Sequence, residues 1–241
     1  NESLGEKNSV KKAEQELKNR YESLENKYDK FLAGNYDYKA NTYETNKINL
    51  LSNPTSLYTK QPTVYYGLMY LAKNAKKEVK IHTPYIICND YMYKELKNIK
   101  VPTTIMTNSA ENNGNIFGAV DYLNHKKDII NTGVTIKEYE GGISYHGKSM
   151  TIDDDIAIVG SFNMDMRSAY IDTELMLVIN SKDINKQLKA SMEEYEKKAA
   201  TVKNETEYSH IPEGMKMKEL SDKKKNIKAW FGWAMNGLRF L

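Results

Sequence analysis

Between Ser144 and Ile179 the chain gathers an imidazole (His146), a primary amine (Lys148), an amide (Asn163), two hydroxyls (Ser161 and Ser168), a guanidinium (Arg167) and a carboxylate (Glu174). No other stretch is so dense in reactive side chains. His146 and Lys148 are two residues apart, so in an extended segment both project from one face, and Gly147 leaves the space between them open. An imidazole that can attack, accept or donate a proton, held beside a fixed positive charge, suits an anionic substrate. Ser161 and Asn163 would add neutral hydrogen-bond donors that stabilise charge without competing for protons.

The positioning elements follow from the pattern. Residues 145–152 and 156–160, rich in Ile and Val, read as two strands joined by the acidic turn Asp153-Asp154-Asp155. Gly160-Ser161 makes a sharp exit that returns Ser161 and Asn163 to the strand mouth. Asp153 lies at an odd offset from His146 and so points away from the reactive face, as a residue that holds the turn. Glu174 sits in an otherwise apolar strand, 173–179, where an unpartnered carboxylate is costly, and an imidazole is the expected partner. Of the other histidines, His82 ends a strand and is either pocket-lining or buried, while His125 and His210 read as solvated. Consecutive aspartates in a hairpin diverge, and the calcium-loop spacing and glycine are missing, so no metal and no cofactor are expected.

Written out, His146-x-Lys148, four residues, Asp153, then Gly160-Ser161-x-Asn163, with Arg167-Ser168 and Glu174 following, resembles the HKD signature of the phospholipase D superfamily. Upstream, Thr83-Pro84-Tyr85 and Thr107-Asn108-Ser109 resemble the second lobe of bacterial cardiolipin synthases, and the resemblance runs from about Leu57 to Val202. It implies a phospholipase D-like α/β lobe acting on phosphodiesters through a phosphohistidine. His146, Lys148, Ser161, Asn163 and Glu174 would be its catalytic residues; Asp153, Gly160 and Arg167 would frame the motif, Arg167 as a brace or a phosphate contact. Tyr85, Asn108 and Ser109 would line the substrate pocket. In that family the carboxylate at the position of Glu174 orients a catalytic histidine, commonly that of an opposing lobe. The active site takes two motifs and this chain holds one, so a missing N-terminal HKD lobe or a second copy of the chain is the implied partner.

The rest of the chain supports an α/β domain. Its 241 residues, 40% hydrophobic, can build a real core. Apolar residues Val10, Ala13, Leu17, Tyr21, Leu24, Tyr28 and Phe31 recur at steps of three and four. They predict one amphipathic helix from Val10 to Leu32, stopped at Gly34-Asn35 and either laid on another domain or paired in a short coiled coil. Residues 35–56 read as a linker. Helices opening at Thr63 or Pro62, at Asn89 or Asp90 and at Ile116 alternate with strands at 78–87, 103–107 and 134–139. Gly133 closes the third helix, and Ser181 caps a last one. The expected architecture is a mixed, mostly parallel sheet of about six strands sandwiched by helices. The expected division is 1–56 for amphipathic helix and linker, 57–205 for the catalytic lobe and 206–241 for a basic amphipathic tail.

That tail carries a Lys cluster at 223–225. Ile227, Trp230, Phe231, Ala234, Met235, Leu238 and Leu241 line one helical face, and from Lys216 onward seven Lys or Arg stand against two Asp or Glu, a net +5. Such a helix can dock on the lobe or lie in an anionic headgroup layer. The single cysteine, Cys88, excludes an internal disulfide. The start at Asn1, with no charged-then-apolar leader, suggests a processed or truncated product, and no run has the length of a membrane span. The expectation is a membrane-associated enzyme acting on a phospholipid, with no nucleic acid partner, since the overall charge of +3 is mild and no long basic stripe crosses 57–202. A nuclease built on the same motif and a non-catalytic lobe that binds anionic lipid are the competing functions.

Overall fold

The computed structural model describes residues 7–28, 34, 37–56 and 58–231. It divides into two compact units, Asn1–Tyr43 and Glu44–Leu241. In the first, helix α1 (Asn8–Lys27) buries no residue, and its apolar positions Leu17, Tyr21 and Leu24 stay more than half exposed. The end expected near Leu32 and the Asn35 of the stop signal lie outside the described residues, while Gly34 has the positive φ of +69° that a helix-terminating glycine adopts.

The second unit is built on one sheet of nine strands in the order β1-β9-β7-β6-β2-β4-β5-β10-β11. These are β1 (Lys47–Ser52), β2 (Val79–His82), β4 (Thr103–Asn108), β5 (Thr135–Tyr139), β6 (Ser149–Ile152), β7 (Ile156–Gly160), β9 (Leu175–Asn180), β10 (Ala199–Val202) and β11 (Tyr208–His210). Two-residue strands β3 (Ile86–Ile87) and β8 (Met164–Asp165) pair separately. The helices are α2 (Thr63–Lys73), α3 (Asp90–Lys97), α4 (Ile116–Ile130), α5 (Met166–Tyr170), α6 (Lys182–Glu196) and α7 (Asp222–Phe231).

The expectation of a mostly parallel sheet needs correction. Only β2 with β4 and β4 with β5 run parallel, and every other neighbouring pair in this sheet is antiparallel. The helical crossovers around α3 and α4 enforce the parallel part. Hairpins make two of the antiparallel pairs, β6 with β7 through the tight 153–155 turn and β10 with β11, while the other antiparallel neighbours come from separate parts of the chain. Three strands were unexpected: β10, an interior strand of only four residues, and the two edge strands β1 and β11, which bury little and so leave a weak hydrophobic period. β1 lies in the stretch expected to be linker, and all its residues but Leu51 are exposed. β11 lies in the stretch expected to be tail. The first compact unit therefore ends at Tyr43, not at residue 56.

The core forms on one face of the sheet, where Val64, Tyr65, Leu68 and Met69 of α2 meet Val79, Ile81, Ile105, Ile136, Met150 and Ile158 of the strands. Alternation sends Lys80 and His82 of β2 to the opposite face, under α6, where they meet Glu193 and Glu196. Side-chain caps set the helix starts: Asn89 accepts from Met92 N, Asn115 from Phe117 N and Gly118 N, and Ser181 from Ile184 N.

Candidate active site

His146 and Lys148 lie on the approach to β6, which begins at Ser149 and is shorter than the strand expected from residue 145. Lys148 Nζ is 2.7 Å from His146 Nδ1 and donates to the His146 carbonyl at 2.8 Å. The approach is pinned from below. Asn108 Oδ1 accepts from Tyr145 N at 2.7 Å and Asn108 Nδ2 donates to Tyr145 O at 2.9 Å, a two-point grip on the residue preceding His146. The Tyr145 ring folds back beneath Gly147, where an added Cβ would lie 2.3 Å from its hydroxyl and force the ring to shift. Tyr85 meets the His146 ring edge-on, with centroids 6.1 Å apart.

Partial desolvation, and then the charge of Lys148, lower the His146 pKa below its ordinary value. The free imidazole is therefore neutral at neutral pH. Burial also lowers Lys148, against the opposing pull of the Glu174 and Asp165 carboxylates. An anionic group entering between the two would offset the charge of Lys148 and raise His146 again.

Behind this pair sits a hydroxyl-carboxylate cluster. Glu174, buried just ahead of β9, accepts from the Ser161 hydroxyl and, at 2.8 Å, from Ser168 Oγ. Its partners in this chain are thus two serines, where an imidazole was expected; His146 is engaged by Lys148 instead. Ser161 correspondingly spends its donor on Glu174. Asn163 N and Nδ2 both donate to Ser168 Oγ at 3.2 Å, and Asn163 Oδ1 is buried without a hydrogen-bond partner. Asp165 caps α5 by accepting from Ser168 N at 2.6 Å, and burial raises its pKa. Gly160 permits the crossing itself: a Cβ there would stand 2.1 Å from Leu175 O.

The remaining expected residues serve the frame. Asp153, at φ +51°, accepts from the backbone N–H groups of Lys76, Lys77 and Glu78 and locks the turn to the start of β2. Arg167 Nε donates to Asp172 at 3.0 Å. Asn108 and Ser109, expected in the pocket, are buried and bonded within the protein, Ser109 Oγ donating to Glu140 at 2.5 Å. They sit at the end of β4 and bond Tyr145, Glu140, Pro84 and Asn112. His82 is buried and holds Glu196 and the Tyr145 hydroxyl. Asp165 and Tyr145 were missed as site residues, and Ser168, counted among the hydroxyls of the stretch, was given no role. A buried cap and a hydroxyl one step from Arg167 look ordinary in sequence, although Asp165-x-x-Ser168 is a legible capping spacing. Among the described residues no three His, Cys, Asp or Glu side chains converge to hold a metal ion.

This lobe, a mixed sheet flanked by helices with the reactive loops at one end, has the fold of solved phospholipase D-family proteins. Phosphatidylserine synthase from Haemophilus influenzae superposes with a TM-score of 0.58 at 16% identity, over 80% of this chain and 47% of that one. Nuc from Salmonella typhimurium, a phospholipase D family member, superposes with a TM-score of 0.52 at 16% identity, over 65% of this chain and 97% of that one. Residues 68–195, more than half of the chain, match the family model described as cardiolipin synthase, PLD-like domain, and the chain belongs to that family. Cardiolipin synthase 1 of Staphylococcus epidermidis is 30% identical over 159 residues, 65% of this chain and 32% of that protein. A cardiolipin synthase of Staphylococcus aureus is 31% identical over 129 residues, 52% of this chain and 26% of that protein. The chain thus spans about a third or less of these relatives. No helix of the described residues is long and apolar enough to cross a membrane.

Proposed function

We propose that this chain is one catalytic lobe of a phosphatidyltransferase or phospholipase D that works on phospholipids through a phosphohistidine. The observation that carries the reading is the solvent-open imidazole of His146 with the Lys148 amine 2.7 Å away. In the transfer step an imidazole supplied by another HKD lobe, or by a second copy of this chain, attacks phosphorus. The phosphorus–oxygen bond to the leaving alcohol breaks, and His146, protonated in the anionic complex, gives its proton to that oxygen. Lys148 turns from His146 to a non-bridging phosphate oxygen and neutralises the charge that develops there. In the second step neutral His146 takes the proton of the incoming hydroxyl as that oxygen displaces the phosphohistidine. Water, glycerol or a second phospholipid as acceptor gives hydrolysis, exchange or synthesis with the same residues.

Glu174 and the two serines hold the loop of Asn163 against the mouth and supply the negative field that supports the charge of Lys148. The test is a lipid product assay on the intact protein with labelled phosphatidylglycerol, run beside a nucleic acid substrate. Conversion to phosphatidic acid or to a diphosphatidyl product, abolished by His146→Gln, is expected. Cleavage of nucleic acid alone would make the chain a nuclease lobe, and a His146→Gln protein of unchanged rate would end the catalytic reading.

A further inference from the structure

Helix α7 does not trail freely from the second unit. Lys224, 8% exposed, donates to three backbone carbonyls of one loop: Ala110 at 2.9 Å, Glu111 at 2.5 Å and Asn113 at 3.0 Å. Ser221 N adds a bond of 2.9 Å to Glu111 Oε2. Three carbonyls converging on one ammonium form a strong charge-assisted anchor. The clamped loop in turn grips the segment that leads to His146: Asn112 Nδ2 donates to Ile143 O at 3.2 Å and Gly114 N to Ser144 Oγ at 3.1 Å. Lys224 therefore fixes α7 to the rim of the candidate active site.

Three large apolar side chains stand exposed around this rim. Ile143 is 83% exposed, Trp230 77% and Phe117, in the first turn of α4 beyond the clamped loop, 52%. On α7 the neighbours of the clamp, Lys223, Lys225 and Lys228, are exposed, Lys225 with Asp222 3.7 Å away. Apolar tips set among ammonium groups match a surface that is anionic outside and apolar just beneath, since the tips gain burial while the lysines meet the headgroup charge. A nucleic acid satisfies the lysines but offers nothing to an aliphatic side chain such as Ile143. We propose that the rim formed by α7 and the loops flanking His146 is a docking surface for an anionic phospholipid bilayer, with Lys224 as the clamp that keys α7 to the site mouth. The choice of a phospholipid surface rests on the function proposed above.

The test needs no turnover. In a Trp233→Phe background, so that Trp230 is the sole indole, the chain is titrated with vesicles of phosphatidylcholine and phosphatidylglycerol, with phosphatidylcholine vesicles, and with single-stranded DNA. Expected are a blue shift of Trp230 on the anionic vesicles alone and weakening as salt rises. Lys223→Gln/Lys225→Gln/Lys228→Gln should bind roughly a hundredfold more weakly, at about 1 kcal/mol for each lysine. Ile143→Ser should weaken binding with all charges intact. In hydrogen exchange, vesicles should protect 143–148 together with α7, and Lys224→Met should confine protection to α7. Equal binding to neutral vesicles, a matching response to DNA, or wild-type protection limited to α7 would overturn the proposal. Anionic-vesicle binding by a protein without phosphodiester turnover would instead sink the catalytic reading and leave this one standing.

Discussion

Two histidines of this chain occupy opposite ends of the same structural problem. His82, 1% exposed, lies beneath α6 with both ring nitrogens used: Nε2 is 3.2 Å from Glu196 Oε1 and Nδ1 is 3.3 Å from the Tyr145 hydroxyl. A neutral ring that donates from Nε2 and accepts at Nδ1 satisfies both contacts, and burial lowers the His82 pKa in that sense although Glu196 opposes it. Glu196 also holds Lys137 at 2.6 Å and Lys80 at 3.7 Å. Burial pushes the Glu196 carboxyl up, but hydrogen bonds from His82 and Lys137 and the lysine charges outweigh it and bring it to about 2. His146 has instead one side-chain hydrogen-bond partner, the amine of Lys148, the Tyr85 ring against it, and an otherwise exposed side chain. A network closed on every side stabilises the fold and resists change. A histidine whose partner can be exchanged for a phosphate is available for chemistry.

The sharpest way to break this comparison is to remove each ring. His146→Ala should lower turnover of the intact protein by about a thousandfold or more, since it removes the proton donor and acceptor. Its urea unfolding should stay within about 0.5 kcal/mol of the parent, as expected for an open site. His82→Ala should do the reverse. Stripping one member from a buried ionic network costs about 2–4 kcal/mol, with turnover per folded molecule falling far less than at His146. Comparable stability losses in both variants would remove the distinction.

A smaller effect sharpens it through pH. Glu196 has a folded pKa depressed from 4.5 to about 2, so it adds stability above its unfolded pKa, which is lost as pH falls from about 4.5 toward 2. The full span corresponds to about 3 kcal/mol. His82, with a folded pKa lowered from 6.5, binds its proton more readily when unfolded, so its contribution is also lost on acidification and begins to fall earlier. Urea midpoints measured down the pH scale should therefore decline in two stages, and Glu196→Gln should shrink the later one, to which Glu111 and Asp153, whose pKa values are also lowered, contribute the rest. A Glu196→Gln protein with the parent's acid profile would show that the carboxylate is not held by this network.

Much of this was legible in sequence, for identifiable reasons. The caps at Asn89 and Ser181 are local, and local chemistry is written in adjacent residues, whereas the hold of Asp153 on the backbone of Lys76, Lys77 and Glu78 and the close approach of Gly160 to Leu175 O join segments distant in sequence. The nearness of His146 and Lys148 was legible from their two-residue spacing, although they precede β6 and the contact is made by the Lys148 amine reaching back to the ring. The partners of Glu174 were not, because Ser161 and Ser168 reach it from two separate loops and only the folded crossing decides which polar group arrives first. Asn108 and Ser109 were placed in the pocket by resemblance, whereas burial at the end of β4 turns them inward to Tyr145 and Glu140. β1 and β11 were illegible because strands paired on one side alone need little apolar surface.

The finest test concerns the coupling of Lys148 to His146 itself. Nitrogen-resolved NMR titration of the chain, with the His146 resonances assigned by their loss in His146→Gln, should give a midpoint below the ordinary histidine value of 6.5. Two causes act in that direction, partial desolvation and the neighbouring ammonium, and they separate in Lys148→Met, which keeps much of the stem and deletes the charge. If the ammonium contributes as the 2.7 Å contact implies, the midpoint rises in the variant without reaching the ordinary value. Added inorganic phosphate should raise the parent's midpoint, because an anion between the two groups cancels the same charge, and should move the variant less. A midpoint indifferent to both Lys148→Met and phosphate would mean that Lys148 merely lies beside the ring, and the exchange of partners that distinguishes His146 from His82 would lose its physical basis.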